Sequence, residues 1–132
     1  PAATDATTFT VLVNNLAVIG YLAIGVFTAG IGTLAVLALN GAVFGYAITA
    51  AIAGGYGSAI LSGVVPHMFP ELAGFLVAAV ADMRLGLLVA RRTLSRTDLD
   101  VAASGRRWIV AQVAAVALII VGAIIEGEVS YV

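Results

Sequence analysis

Few side chains in this sequence could carry out chemistry, and the most suggestive pair is His67 with Glu71. Their four-residue spacing brings the two side chains to one face of a helix. An imidazole beside carboxylates can hold a proton or a divalent cation, since both are borderline-to-hard ligands. The alternative, which we favour, is a structural hydrogen-bond network. We therefore predict no metal centre and no cofactor.

Other polar residues lie near the ends or the middle of long apolar stretches. Asn14 and Asn15 stand at the start of the first stretch, Asn40 in the second, and Glu126 at the end of the last. Polar groups are costly in hydrocarbon, so each is a candidate functional residue. We expect the polar groups at the outer ends of three helices to form one cluster, which comprises Asn14, Asn15, His67, Glu71 and Glu126.

Asp82 follows Glu71 by eleven residues, three helical turns on and close to the same face. We expect Asp82 to meet an Arg or Asn of another helix, with a proton or substrate relay as the alternative. Arg84 lies too far around the helix to pair with Asp82. Its side chain is predicted to extend to the cytoplasmic boundary of the membrane.

These residues sit in a chain whose composition is typical of a membrane protein. Of 132 residues 62% are hydrophobic and 10% charged, and the mean hydropathy is +1.14. Soluble domains carry about a quarter charged residues. We predict a single all-α transmembrane domain over 1–132, with about four spanning helices and a short broken or re-entrant segment before the third. The predicted spans are 9–29, 32–53, 70–92 and 108–125, with the broken segment at 58–66.

The six basic residues are all arginines within one short stretch, namely Arg84, Arg91, Arg92, Arg96, Arg106 and Arg107. Cytoplasmic loops are enriched in such residues, so a loop at 91–107 is expected in the cytoplasm and the acidic C-terminus outside. The arginines other than Arg84 are also candidate contacts for anionic lipid. A nucleic-acid surface needs spaced cations with aromatic residues, and none is predicted here.

Small residues indicate where helices pack. Gly41 and Gly45 form a Gly-x-x-x-Gly motif, which permits close helix packing or self-association. Asn40 directly precedes the motif and is expected to make a polar contact at the same crossing. Gly74 and Ala78 mark the helix that carries Glu71.

Five short motifs, taken in order, resemble the stage II sporulation protein M family. They are Asn14-Asn15, Asn40-Gly41 with Gly45, Pro66-His67 with Glu71-Leu72, Arg84-Leu85-Gly86, and Ile125-Glu126. Met68 replaces the usual glycine, Pro70 is additional, and a helix that normally precedes the Asn-Asn pair is missing. We therefore expect either a five-helix protein that begins earlier or a four-helix variant. The resemblance implies a multi-pass membrane protein that scaffolds a peptidoglycan-degrading complex in spore-forming bacteria.

The sequence contains no motif of a nucleophilic, metal-dependent or phosphate-binding enzyme, and we predict that the protein is not an enzyme. The leading hypothesis is a membrane scaffold or assembly protein that recruits other membrane proteins or self-associates. One alternative is a small transporter or channel component that uses the Asn/His/Glu cluster. A second alternative is a small helical subunit of a larger membrane complex.

Overall fold

The computed structural model describes residues 2–95 and 100–129, and their regular structure is entirely helical. The elements are α1 (Ala2–Leu22), α2 (Ile24–Phe27), α3 (Ile31–Ala53), α4 (Gly57–Ala59), a π-helical turn (Ile60–Val64), α5 (Val65–Ser95) and α6 (Val101–Val129). Four stretches of this described part are long and apolar enough to cross a membrane: Phe9–Phe27, Ile31–Ala53, Gly57–Ser95 and Val101–Glu128. The predicted all-α fold with about four spanning helices is confirmed.

The first turn of the bundle lies between α2 and α3, where the glycine-rich sequence predicts it. Ala29 and Gly30 have φ values of 51° and 89°, the left-handed conformation that ends many helices. The Gly30 N–H donates to the Gly25 carbonyl at 2.8 Å, so the turn pairs one of the carbonyls that the end of a helix leaves without a partner. Gly30 also lies against Met83 of α5, where a larger residue would be crowded.

The predicted broken or re-entrant segment at 58–66 is wrong, because the chain stays helical from Gly57 to Ser95. Its irregularity is the π-helical turn, in which the Val65 N–H donates to the Ile60 carbonyl five residues back. Pro70 lies inside α5 and not in a first turn. A proline removes only one backbone donor, whereas an unwound segment exposes many polar groups, so a helix with a π-turn is less costly in lipid.

The predicted loop at 91–107 is also mostly helical. Arg91 and Arg92 belong to α5, and Arg106 and Arg107 belong to α6. The Asp100 carboxylate accepts a hydrogen bond from the Ala103 N–H at 2.9 Å and so caps the start of α6. Arg96 lies outside the described residues.

The antiparallel pair α5 and α6 forms the largest helix interface, and α1 packs against both. Small residues allow close approach: Gly74 lies against the backbone of Ala115, and Gly86 lies against the carbonyl of Gly25. The buried core is small and apolar, consisting of Ile19, Leu22, Ala78, Ala79, Ala115 and Ile119. This three-helix interface positions the polar residues.

Candidate functional site

Asp82 is fully buried between α5 and α6, and its Oδ1 accepts two hydrogen bonds from α6. The Trp108 Nε1 donates at 2.6 Å and the Gln112 Nε2 at 2.7 Å. These donors are four residues apart, so they share one face of α6. The expected interhelical contact thus exists, but with a Trp and a Gln and not with an Arg or an Asn.

Sequence reasoning missed both partners of Asp82. Neither Trp108 nor Gln112 is among the residues predicted to form a site. A usable signal was present, since two N–H donors at four-residue spacing in an otherwise apolar helix require a buried acceptor. Asp82 Oδ2, by contrast, makes no hydrogen bond within the described residues.

A second polar cluster forms around Glu71, nearer the opposite end of α5. The carboxylates of Glu71 and Glu126 are electrostatic neighbours, and the Asn15 side chain is a polar neighbour of Glu71. Gly122 lies directly against the Glu71 side chain, where a β-carbon at position 122 would be 2.5 Å from Cγ. The structure therefore brings together Asn15 of α1, Glu71 of α5 and Glu126 of α6.

Two atoms of this cluster, Asn15 Nδ2 and Glu71 Oε1, are buried without hydrogen bonds of standard geometry to described residues. The same holds for His67 Nδ1, for which no contact with the cluster is shown. His67 is half-buried one turn before Glu71 on α5. Within residues 2–95 and 100–129, no group of three or more His, Cys, Asp or Glu residues is arranged to hold a metal ion.

The other predicted site residues lie outside both clusters. Asn14 is exposed, so the prediction that it joins the outer cluster is wrong: it points to a different face of α1 from Asn15, its neighbour. Arg84 is exposed on α5. Asn40 is half-buried and donates from Nδ2 to the Val36 carbonyl of its own helix at 2.9 Å.

The Gly-x-x-x-Gly motif is not used for packing among the described residues. A β-carbon at Gly41 or Gly45 would meet no described atom within 4 Å, and both glycines are exposed. The expected close crossing is therefore absent from the described bundle. The physical reason is that α3 contacts its neighbours mainly through its first turns, where Thr33 is buried and its hydroxyl donates to the Leu22 carbonyl at 3.0 Å.

Long apolar helices whose buried polar groups contact one another across helix interfaces define a multi-pass integral membrane protein. The family model for Stage II sporulation protein M matches residues 2–131, nearly the whole chain. The chain belongs to this family, which confirms the resemblance seen in its motifs. Comparison with curated proteins and with solved structures gave no match.

Proposed function

We propose that this protein is a non-catalytic membrane scaffold or assembly protein that self-associates through α3. The observation that carries the proposal is how little of this helix is buried against the rest of the bundle. Of the 23 residues of α3, only Thr33 is buried. A spanning helix with so little packing inside its own chain is available to a second helix in the membrane.

The face of α3 around the Gly-x-x-x-Gly motif favours a second copy of the same helix as the partner. In lipid, helix association depends on close packing, and exposed glycines permit the shortest approach. A twofold crossing places the same surface of each copy against itself, so one motif supplies both sides. Gly41 and Gly45 are open, and Asn40 precedes them on the same helix.

The polar clusters support a structural role over catalysis. Asp82 joins α5 to α6 through two hydrogen bonds, and the Glu71 cluster draws residues from three helices. Both arrangements stabilise a fixed platform. The scaffold role that the family resemblance implies agrees with such a platform, and self-association would multiply its binding surfaces.

Orientation in the membrane is part of the proposal. The arginines at the α5–α6 connection are assigned to the cytoplasm and the acidic C-terminus to the outside, by the positive-inside rule. Glu126 and Glu128 lie near the far end of α6, and the described part of that end has no cation.

Energy transfer between donor- and acceptor-labelled copies in liposomes tests self-association. Transfer is expected for the wild type, and Gly41→Ile with Gly45→Ile should abolish it because the added side chains prevent close approach. Ala50→Ile is the matched control, since Ala50 is an exposed small residue on the opposite face of α3. Absence of transfer in the wild type, or equal loss in the control, would overturn the proposal.

A second candidate function, transport of a proton or small solute, is favoured by buried atoms of Asn15, His67 and Glu71 that make no hydrogen bond of standard geometry to the described residues. Such atoms are available to a ligand that enters the cluster. Flux into liposomes is compared for the wild type and a His67→Ala/Glu71→Gln variant. Flux that is present in the wild type and lost in the variant would favour transport and end the purely structural interpretation.

A further inference from the structure

A long groove between α5 and α6 is apolar along one part and basic along the other. Its volume is about 810 Å³. The apolar part is lined by Leu76, Val77 and Val80. The basic part is lined by Arg84, Arg91 and Arg107, together with three leucines of α5 that lie between the first two. An occupant that matches both parts is an amphipathic molecule with a negatively charged head.

Helix geometry and the Asp82 contact bring the arginines to the two sides of one groove. Arg84 and Arg91 are seven residues apart, two turns along α5 on the same face. Arg107 precedes Trp108, whose hydrogen bond to Asp82 sets α6 against α5 at this level. Arg84 follows Asp82 by two residues, and Arg107 directly precedes Trp108. The two arginines therefore lie at a similar depth on the two sides of the groove.

The carboxylate nearest to Arg84 in sequence does not neutralise this basic end. Asp82 is fully buried and directs its Oδ1 to Trp108 and Gln112 of α6. Guanidinium groups bind phosphate oxygens with paired hydrogen bonds, which makes arginine well suited to a phosphate ester. Ser104, which also lines this end, adds a hydroxyl donor.

The dimensions fit a membrane lipid. From Arg84 back to Leu76 the groove follows eight residues of α5, about 12 Å at the helical rise. One leaflet contributes about 15 Å of hydrocarbon. An acyl chain can therefore lie along the leucine and valine wall while its phosphate stays at the level of Arg84 and Arg107.

We propose that the groove between α5 and α6 binds one anionic phospholipid, with its phosphate held by Arg84, Arg91 and Arg107 and one acyl chain against the apolar wall. This site is distinct from the self-association face of α3. The proposal differs from a general attraction of arginines for the membrane surface. It predicts one behaviour for the groove arginines and another for Arg106. Arg106 is exposed and does not line the groove.

The single tryptophan of the chain provides a direct test, because Trp108 lines the groove and all tryptophan fluorescence reports on it. The full chain is reconstituted in phosphatidylcholine vesicles that contain increasing fractions of phosphatidylglycerol with brominated acyl chains, which quench tryptophan on contact. Brominated phosphatidylcholine in the same amounts gives the reference curve. We expect half-maximal quenching at a much lower fraction of phosphatidylglycerol than of phosphatidylcholine.

Substitution separates the site from general electrostatics. Arg84→Gln and Arg107→Gln should each weaken the preference for phosphatidylglycerol about fivefold. Arg106→Gln removes the same charge outside the groove and should leave the preference unchanged. Equal quenching by the two lipids in the wild type, or an effect of Arg106→Gln as large as that of Arg84→Gln, would overturn the proposal.

A variant that fills the groove tests the apolar half without touching the arginines. Ala81→Phe should reduce quenching by both brominated lipids, whereas Ala114→Phe, an exposed position on α6 outside the groove, should not. Glycerol 3-phosphate in solution should not displace the lipid, because it lacks an acyl chain. Displacement by glycerol 3-phosphate, or an Ala81→Phe variant that is quenched like the wild type, would contradict a lipid as the occupant.

Discussion

Trp108 and Asp82 are 26 residues apart in the chain and are joined by a 2.6 Å hydrogen bond that crosses the α5–α6 interface. The indole N–H and the carboxylate are both polar groups at the interface of two long, mainly apolar helices. Gln112 donates to the same oxygen, so two positions of α6 converge on one residue of α5. This contact joins α5 to α6 at the level of the groove arginines.

We expect Trp108→Phe to lower the free energy of unfolding by about 1 kcal/mol, because it keeps an aromatic ring but removes one donor from Asp82. Unfolding in mixed micelles, followed by circular dichroism, measures the change. Ile109→Phe, at an exposed apolar neighbour, is the control and should be near neutral. If Trp108→Phe is as neutral as Ile109→Phe, the contact does not stabilise the interface.

Gly86 is predicted to tolerate no side chain. A β-carbon there would collide with the Gly25 carbonyl oxygen, so α5 could not approach the first turn of the bundle. Gly86→Ala should therefore destabilise the fold by about 1–3 kcal/mol. Gly105→Ala is the matched control, because that helical glycine has open space around it and should gain up to about 1 kcal/mol from higher helix propensity. Thermal melting of both variants in one detergent measures the difference in stability. Similar melting temperatures would refute the close approach of Gly86 to the Gly25 carbonyl.

Gly122 and Glu71 should behave as an energetically coupled pair. Gly122→Ala places a methyl group against the Glu71 side chain and should be destabilising, whereas Glu71→Ala should make the same substitution tolerable. A double-mutant cycle on the free energy of unfolding should give a coupling of about 0.5–3 kcal/mol. Gly127→Ala, on the same helix with open space around it, should show no coupling with Glu71→Ala. A coupling energy of zero between Gly122→Ala and Glu71→Ala would mean that the Glu71 side chain moves away from the added methyl group at no cost in free energy.

The proposed orientation predicts opposite accessibility for the two ends of the α5–α6 pair. The chain has no cysteine, so Ser95→Cys and Glu128→Cys each introduce a unique label at an exposed position. In intact cells an impermeant thiol reagent should modify position 128, and position 95 should react only after permeabilisation. The reverse pattern would place the arginines outside and remove the positive-inside argument.

Composition and hydropathy alone determined the class of protein and most of its helices. Charge-free stretches of spanning length have one stable outcome in a bilayer, since a helix satisfies its own backbone hydrogen bonds. The turn at Gly30 was also predictable, because paired glycines in an uncharged run allow the left-handed conformation that a reversal needs. The prediction of a broken segment at 58–66 was wrong because a break in a helix and a π-turn within a continuous helix have the same local sequence signal.

Tertiary structure decided which polar residues meet. Adjacent Asn14 and Asn15 are equivalent by sequence, yet the rotation of α1 exposes the first and places the second next to Glu71. Asp82 required an interhelical partner, but the register of α5 against α6 selected Trp108 and Gln112 over an arginine. That register arises from the close contact of small residues such as Gly74 with Ala115, and these contacts depend on the shape of both helix surfaces at once. Periodicity along one helix describes only one of those surfaces, so the pairing became visible only in the folded bundle.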